Sequence, residues 1–586
     1  MTSSAIQQAI GKLRQQREKA LSLPSSSAMD FILDAPQPAA LVHSIPEMDL
    51  LFLVLDIGPE DALPLLSLAS NSQWEFILDM QTWKQDRIAF SSLTRWLNLR
   101  FLADPKRFLQ WARQDAVEFI ELYLSKNIQV RFREPDEDIS DISDDFMTLD
   151  GSLFYRMLPE FEMEAFSDAA PEDSQAQPDT DEDRYIFVTQ FLNQLYADDP
   201  IYFTNFMLET AAVLPTEAEE EAYRLHSVRM AEKGFLPFEE SVGVYQPIPP
   251  EKMSRRYNTP HREDIIPLPA SVYASELQKS DNLMAVALKQ LAQDDLYLEL
   301  QTELASLTNQ IIIADRIHIE SRDDLMAAVQ KTTGYLSIGL EILAASQDRS
   351  HHAAIIRERM LSDIFRVGYG AALELKWQAQ KWAPQSWTAS QKLPLSFWGE
   401  AWVGVLGGLL IKKPLFFDNY QTGGGLYREF TSLADIETMR AVLNDIVRFD
   451  GILMAMTDAL APVLAHVSSK HGLLWKNLAL TCWARSHLGL PMTAFALSMD
   501  QFITFYQALF DVTSASDTDS GMKISKTMKA SFLKWLSDAS HLPQRELTDT
   551  CGAILESLFT ELEEEFAHVA PSNLNARYIQ LFQVNG

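Results

Sequence analysis

Between Ile45 and Phe132 the chain shows one arrangement twice: an apolar helical face, a break carrying Gly or Asp before Pro, and a second apolar helical face. The first copy runs from Leu50 to Leu55, breaks at Gly58-Pro59 and resumes with Ala62, Leu63, Leu65 and Leu66. The second has Leu93, Trp96, Leu97 and Phe101, then Ala103-Asp104-Pro105, then Phe108, Leu109, Trp111 and Ala112. A later copy has Val188, Phe191, Leu192, Leu195 and Tyr196, then Asp198-Asp199-Pro200, then Phe203. Pro is excluded from helix interiors but is pre-shaped for a first turn, and a preceding Asp can cap that turn. The pattern therefore predicts stacked helical hairpins. Pro59 and Pro105 lie about 46 positions apart, in the range of armadillo or HEAT-type repeats, and a long insertion displaces Pro200.

Gly and Pro are scarce, and apolar residues recur mainly at helical spacing, so the expected fold class is nearly all-α rather than doubly wound α/β. The formal charge of −32 repels phosphate backbones over the whole surface, and no long basic run offsets it, so nucleic acid is not an expected partner. Cys482 and Cys551 are too few for a disulfide framework or a zinc site, and both lie in apolar helical contexts that predict buried thiols. The N-terminus lacks the order of a signal peptide. The longest apolar stretch, Ala401 to Ile411, is about half of a membrane span and contains three glycines, so no transmembrane segment and a cytoplasmic location are expected.

In chain order, residues 1–30 read as a basic amphipathic helix with Lys12, Arg14, Arg17 and Lys19, which docks on the protein's own acidic surface or frays, the alternative being an anionic membrane or a partner. Residues 31–133 hold the helical hairpins and end in Ile128 to Phe132, whose alternation predicts a strand. Residues 134–184 are an acidic linker with a turn at Asp150-Gly151 and a partner strand at Leu153 to Met157; the tracts Glu134–Asp145 and Glu162–Asp183 have little apolar surface to offset the entropy of ordering. Residues 185–246 form the third helical unit, 247–270 a Pro-rich crossing, and 271–586 a large C-terminal helical domain. Ser321-x-x-Asp324, Ser432-x-x-Asp435 and Ser498-x-x-Gln501 mark helix starts.

The motifs that could carry chemistry are each incomplete. Asp179, Asp181 and Asp183 begin like a calcium loop, but Arg184 and Gln190 stand where Gly and Glu are required. Glu565-x-x-His568 could share a helix face, yet a di-iron bundle needs a second such pair. His466 and His471 are five apart, off helical register. Gly334 to Gly339 misses the nucleophile-elbow spacing around Ser337, and Gly423-Gly424-Gly425 lacks the Lys of a phosphate loop. Asp198-Asp199 and Asp294-Asp295 lack the third Asp of helical isoprenoid enzymes. His351-His352 reads as an exposed helix start. Small residues at Ser337, Gly339, Gly368, Gly370 and Ala371 predict a close crossing of two helices joined by a turn at Gln347 to Ser350.

GPEDALPLL at Gly58 to Leu66, WEFILDMQTWKQDRI at Trp74 to Ile88, EAYRLHSVRMAEKGF at Glu221 to Phe235 and FRVGYGAALEL at Phe365 to Leu375 resemble a bacterial family of large, acidic, helical proteins classed as a domain of unknown function. The resemblance covers most of the chain and implies no activity, partner or site. The N-terminal helical units are also similar to the intracellular helical domain of magnesium-channel-type transporters, but without the membrane and nucleotide-sensing parts no magnesium sensing is implied.

The expected function is a cytoplasmic protein-interaction or scaffold protein whose partner is another protein, because stacked hairpins make extended surfaces and no catalytic set is complete. No metal or cofactor is expected and no catalytic residue is assigned. The alternative is an enzyme with a site assembled from scattered polar residues of the C-terminal helical domain.

Overall fold

In a computed structural model of the chain, the described residues are 3–84, 86–134, 142–159, 181–256, 282–294, 296–319, 321–344, 349–422, 425–465, 472–492, 494–510 and 522–585. They form a nearly all-α fold with four small sheets, the first pairing β1 (Trp83–Lys84) with β2 (Arg87–Ile88). Two compact units result: unit 1 comprises Met1–Gln246, Met253–Thr333 and Asp348–Ile364, and unit 2 comprises Pro247–Lys252, Gly334–Gln347 and Phe365–Gly586. Residues beyond the Pro-rich stretch, expected to open a single C-terminal domain at 271, thus group up to Thr333 with the N-terminal helices. Long-range polar contacts hold them there. Tyr245 donates to Asp315 at 2.5 Å, Lys331 pairs with the same carboxylate at 2.8 Å, and Asn309 donates to the Lys233 carbonyl at 3.2 Å.

Unit 1 begins with α1 (Ser3–Leu21), α2 (Ser25–Leu33), α3 (Pro38–His43), α4 (Glu47–Ile57), α5 (Leu63–Leu68) and α6 (Asn71–Thr82). The basic face of α1 docks, but partly on uncharged groups: Arg17 donates to the Ser44 carbonyl at 2.9 Å and Lys19 lies over the Phe31 ring. The first expected hairpin differs from the pattern. Pro59 opens no helix; Gly58, at φ 102°, ends α4, and α5 starts only at Leu63 with Pro64 in its first turn. Gly58 has no side chain to accept a first-turn N–H, so the chain turns before it can wind again.

The other two breaks behave as predicted. Asp104 ends α7 (Phe90–Ala103) and caps α8 (Pro105–Gln114) by accepting from the Arg107 N–H, with φ −158° and ψ 92°. Asp199 follows α10 (Asp181–Asp198) and caps α11 (Pro200–Ala212) through the Ile201 and Tyr202 N–H groups, with φ −153° and ψ 96°. Between them lies α9 (Val117–Asn127), which packs on α8, α11 and the long α12 (Pro215–Glu232). Phe101 meets Phe108 and Phe187 edge-on, and Phe108 meets Phe191 edge-on, in the interior shared by α7, α8 and α10.

The two predicted strands pair in register, β3 (Ile128–Phe132) with β5 (Leu153–Met157), antiparallel. They are not joined as one hairpin. A further strand, β4 (Met147–Thr148), lies on the other side of β5, and the turn at Asp150-Gly151 joins β4 to β5; Asp150 accepts from the Ser152 and Leu153 N–H groups and Gly151 takes φ 75°. Most of both acidic tracts, the calcium-like segment up to Thr180 and the crossing from Tyr257 onward lie outside the described residues.

Later helices are α13 (Leu283–Gln290), α14 (Tyr297–Asp315), α15 (Arg322–Leu343), α16 (Arg349–Glu358) and α17 (Leu361–Trp382); the unit boundary falls within α15 and α17. The segment expected to be a single helix around Gly370 is therefore two, α16 and α17. The break at Arg359-Met360 pairs Arg359 with Arg255 in a β-bridge. The reciprocal cap at Ser321 and Asp324 forms as expected, with hydrogen bonds of 2.8 and 3.3 Å.

In unit 2 the apolar run at Ala401 is α18 (Glu400–Leu410), a core helix rather than a span, and no helix among the described residues is long and apolar enough to cross a membrane. A Cβ on Gly404 would fall 2.3 Å from the Phe417 ring, and one on Gly408 2.4 Å from the Leu415 carbonyl. That glycine face seats β6 (Phe416–Phe417) and β7 (Tyr427–Arg428). Arg428 is held from both sides by Asp418 at 2.9 Å and Asp435 at 2.8 Å, so Asp435 binds Arg428 rather than closing the box with Ser432, although Ser432 still caps α19 (Leu433–Ala455). After a helix at Thr457–Leu464 come α20 (Trp475–His487), α21 (Met499–Leu509), whose Ser498-Gln501 capping box is complete, α22 (Lys526–Ser540) and α23 (Gln544–Phe566). Cys482 on α20 and Cys551 on α23 are buried thiols, as the sequence predicts.

Candidate functional site

Among the described residues, none of the motifs singled out in the sequence assembles into a centre. His568 lies beyond the end of α23, off the helix that carries Glu565, and Glu565 instead accepts from the Gln580 N–H at 2.8 Å. Asp198 pairs with Arg113 at 2.7 Å while Asp199 serves as a cap; Asp294 binds Arg357. Ser337 is buried in α15. His352 is buried rather than exposed, and His351 alone faces solvent. His466, His471, Gly423, Gly424, Asp295 and the turn before Arg349 fall outside the described residues. Among the described residues no three His, Cys, Asp or Glu converge to hold a metal ion.

A site appears instead in unit 1, where α6, the α8–α9 junction and the α11–α12 corner leave an open cleft of about 770 Å³. Its first wall is α6, fixed by the Ser70-Gln73 capping box and by Gln73 donating to the Val42 and Ile45 carbonyls at 2.8 Å. From this wall Asp79, 5 % exposed, receives Arg229 through both nitrogens at 2.8 and 2.7 Å, and His226 Nδ1 lies 3.1 Å away. The His226 ring stacks on Trp83 at 4.6 Å, so α12 is latched to α6 by charge and ring together. A bidentate, partly buried Arg–carboxylate pair is the geometry in which such a latch carries energy.

The second wall comes from Trp111 to Glu121. Trp111 is backed by the guanidinium of Arg100, 3.6 Å from its ring; burial lowers the Arg100 pKa to about 9, with Glu75 opposing the fall. The third wall is Ala212 to Arg229, with Leu214 62 % exposed and Leu225 40 % exposed at the rim. Seven carboxylates line the cleft (Glu75, Asp79, Asp115, Glu118, Glu121, Glu217 and Glu221) against the single cation Arg229. Asp79 is neutralised by its latch, whereas Glu118 and Glu217 have no ion-pair partner among the described residues.

Glu121 is the most perturbed of them. It is 8 % exposed, and its carboxyl lies against that of Glu209 on α11. Burial, then the Glu209 hydrogen bond and charge, then Glu118, raise its pKa to about 7. Two carboxyls in contact cannot both ionise cheaply, so the pair holds a proton near neutrality. Because the folded pKa lies above the unfolded one, the stability this group contributes is full below about pH 4.5 and is lost as pH rises through about 7. Glu121→Gln removes that loss. Its thermal melt should exceed that of the wild type at pH 8, by about 1–3 kcal/mol of stability, and converge with it at pH 5; equal gains at both pH values would show that the carboxyl is not protonated in the fold.

Of the residues that line the cleft, only Thr82 carries a hydroxyl, and that donates to the Leu78 carbonyl at 2.7 Å. What the cleft offers is a negative, apolar-rimmed recess. Sequence reading missed Asp79, Glu121, Glu209, His226 and Arg229 as site residues. A signal existed in the spacing of His226 and Arg229, three apart on one face of α12, opposite an acid set in the apolar stretch Trp74 to Trp83.

No curated protein and no solved structure matches the chain, so the likeness of the N-terminal units to magnesium-channel-type transporters gains no support. One family does match. Its sequence model, described as a family of unknown function (DUF6178), spans residues 4–585, and the chain belongs to that family.

Proposed function

We propose that this is a cytoplasmic protein-interaction or scaffold protein, its surfaces built from repeated helical hairpins, and that the unit 1 cleft receives a basic, apolar segment of a partner protein. The observation that supports this is the seven-to-one excess of carboxylates over cations inside a cleft whose rim is exposed leucine. A basic amphipathic helix complements both features, laying apolar residues on Leu214 and Leu225 and cations toward Glu217 and Glu118.

The probe is a fluorescein-labelled 14-residue peptide of Leu and Lys at helical spacing, followed by anisotropy. Binding should weaken with salt, and the Glu217→Lys, Glu221→Lys double variant should lower affinity by about tenfold. Affinity that ignores this charge reversal would rule out the cleft as the docking surface.

A further inference from the structure

We propose that the buried wall of this cleft around Glu121 is a recognition pocket for one primary ammonium group, with Glu121 Oε1 as its acceptor. This deepens the reading of the cleft by assigning the chemistry of one contact, a lysine side chain of the docking segment.

Three observations carry it. Oε1 of Glu121 is buried and has no hydrogen-bond partner among the described residues, although it belongs to a side chain that lines the cleft. A buried acceptor left unmade costs free energy that an entering donor would recover. Of the two carboxyl oxygens of Glu121, Oε1 alone is buried without a hydrogen-bond partner among the described residues. A guanidinium uses its geometry best against two free oxygens, whereas an ammonium is a compact point charge that one oxygen and nearby carboxylates can satisfy. A divalent ion is disfavoured because no three suitable ligands converge among the described residues.

The electrostatic surroundings fix the sign. On α9 itself Glu118 adds negative charge, and from α11 come Glu209 and Tyr202. Arg113 of α8 lies over the Tyr202 ring and pairs through Nη1 with Asp198, its Nε and Nη2 being buried without a hydrogen-bond partner among the described residues. From α12, Glu217 and Glu221 face the cleft, while Glu219 lies 3.9 Å from Lys126; β3 contributes only the exposed Arg131. Glu75 and Asp79 stand on the α6 wall, with Asp79 already bound to Arg229. The local field is negative, which favours retention of a proton and, equally, its exchange for another cation. The exchange balances: one RNH₃⁺ enters, one H⁺ leaves to solvent, and no bond to carbon changes.

The test uses the full chain and n-pentylamine, titrated calorimetrically in phosphate and in MOPS, whose ionisation heats differ. The expected dissociation constant is on the order of 1 mM for so small a ligand. Since the proton competes with the amine, affinity should be about tenfold higher at pH 8 than at pH 6, with close to one proton released at pH 6 and few at pH 8. Glu121→Gln and, separately, Glu209→Gln should abolish both the proton release and the pH dependence, while circular dichroism verifies that each variant is folded. Pentylguanidine should bind at least fivefold more weakly. No amine binding at 50 mM, equal binding of the guanidine, or proton release that survives Glu121→Gln would overturn the proposal. If the amine fails while the Leu/Lys peptide still binds and responds to charge reversal, only this pocket is lost; if the amine binds and the peptide does not, only the partner-segment reading is lost.

Discussion

Gly368→Ala unfolds unit 2 at a much lower urea concentration than the wild type, a loss of about 3 kcal/mol or more. The added Cβ would fall 2.0 Å from the Tyr335 carbonyl oxygen, 2.8 Å from the Gly339 nitrogen and 3.0 Å from the Tyr335 carbonyl carbon. All three are backbone atoms of one neighbouring helix, so no side chain can swing away, and the helix must move bodily. Tyr335, Phe365 and Tyr369 pack around this contact with centroids 5.0 and 5.5 Å apart, and separation would loosen them too. Two other glycines serve as controls. Gly451 sits inside α19 with open space where its Cβ would be, so Gly451→Ala should stabilise by about 0.5–1 kcal/mol. Gly370, which the sequence pattern also assigned to the crossing, faces Pro247 Cβ at 3.1 Å instead, and alanine there asks for only a few tenths of an ångström. A Gly368→Ala protein as stable as the wild type would show that the helices do not cross here.

Asp450→Ala is the second large effect, an expected loss of about 2–4 kcal/mol in unit 2. Asp450 is 5 % exposed, and its carboxylate accepts the Trp387 N–H at 3.0 and 3.2 Å, the Trp382 indole N–H at 3.0 Å and a hydrogen bond from the Thr388 backbone. It therefore orients the entire entry to the short helix Trp387–Ser390, whose Trp387 is completely buried and donates in turn to Thr457 at 3.1 Å. Removing the acceptor strands donors in the interior at about 1–3 kcal/mol each. The sum is reduced because burial outweighs these hydrogen bonds and holds the Asp450 pKa above the usual carboxylate range, so the charge is itself costly. Urea midpoints and indole fluorescence of the variant give the measurement. A shift below about 0.5 kcal/mol would mean that water reaches these donors.

What could be read from the sequence was local. Asp104-Pro105 and Asp199-Pro200 specify a cap and a first turn within four residues, and both form with nearly equal backbone angles. The alternation from Ile128 to Phe132 and the Ser498-x-x-Gln501 box are local in the same sense, and both are present. The cleft is not local. Asp79 and Arg229 meet across 150 positions, and Glu121 meets Glu209 only because α9 and α11 pack side by side. No period or spacing encodes that encounter. Gly368 and Gly370 look alike in sequence, and only the crossing angle decides which of them touches a neighbouring backbone.

The two cysteines lie in one unit, and this gives the protein a built-in clock. Cys482 is 0 % and Cys551 1 % exposed, and burial pushes both thiols up to about 12. At ordinary pH almost no thiolate exists, and no reagent reaches the sulfur, so disulfide exchange with an aromatic disulfide can proceed only through opened molecules. Unit 1 carries no cysteine, so its fluctuations leave this signal silent. The rate of colour release is then a count of how often α20 or α23 of unit 2 lets go. Changing one cysteine at a time to serine tells which helix opened.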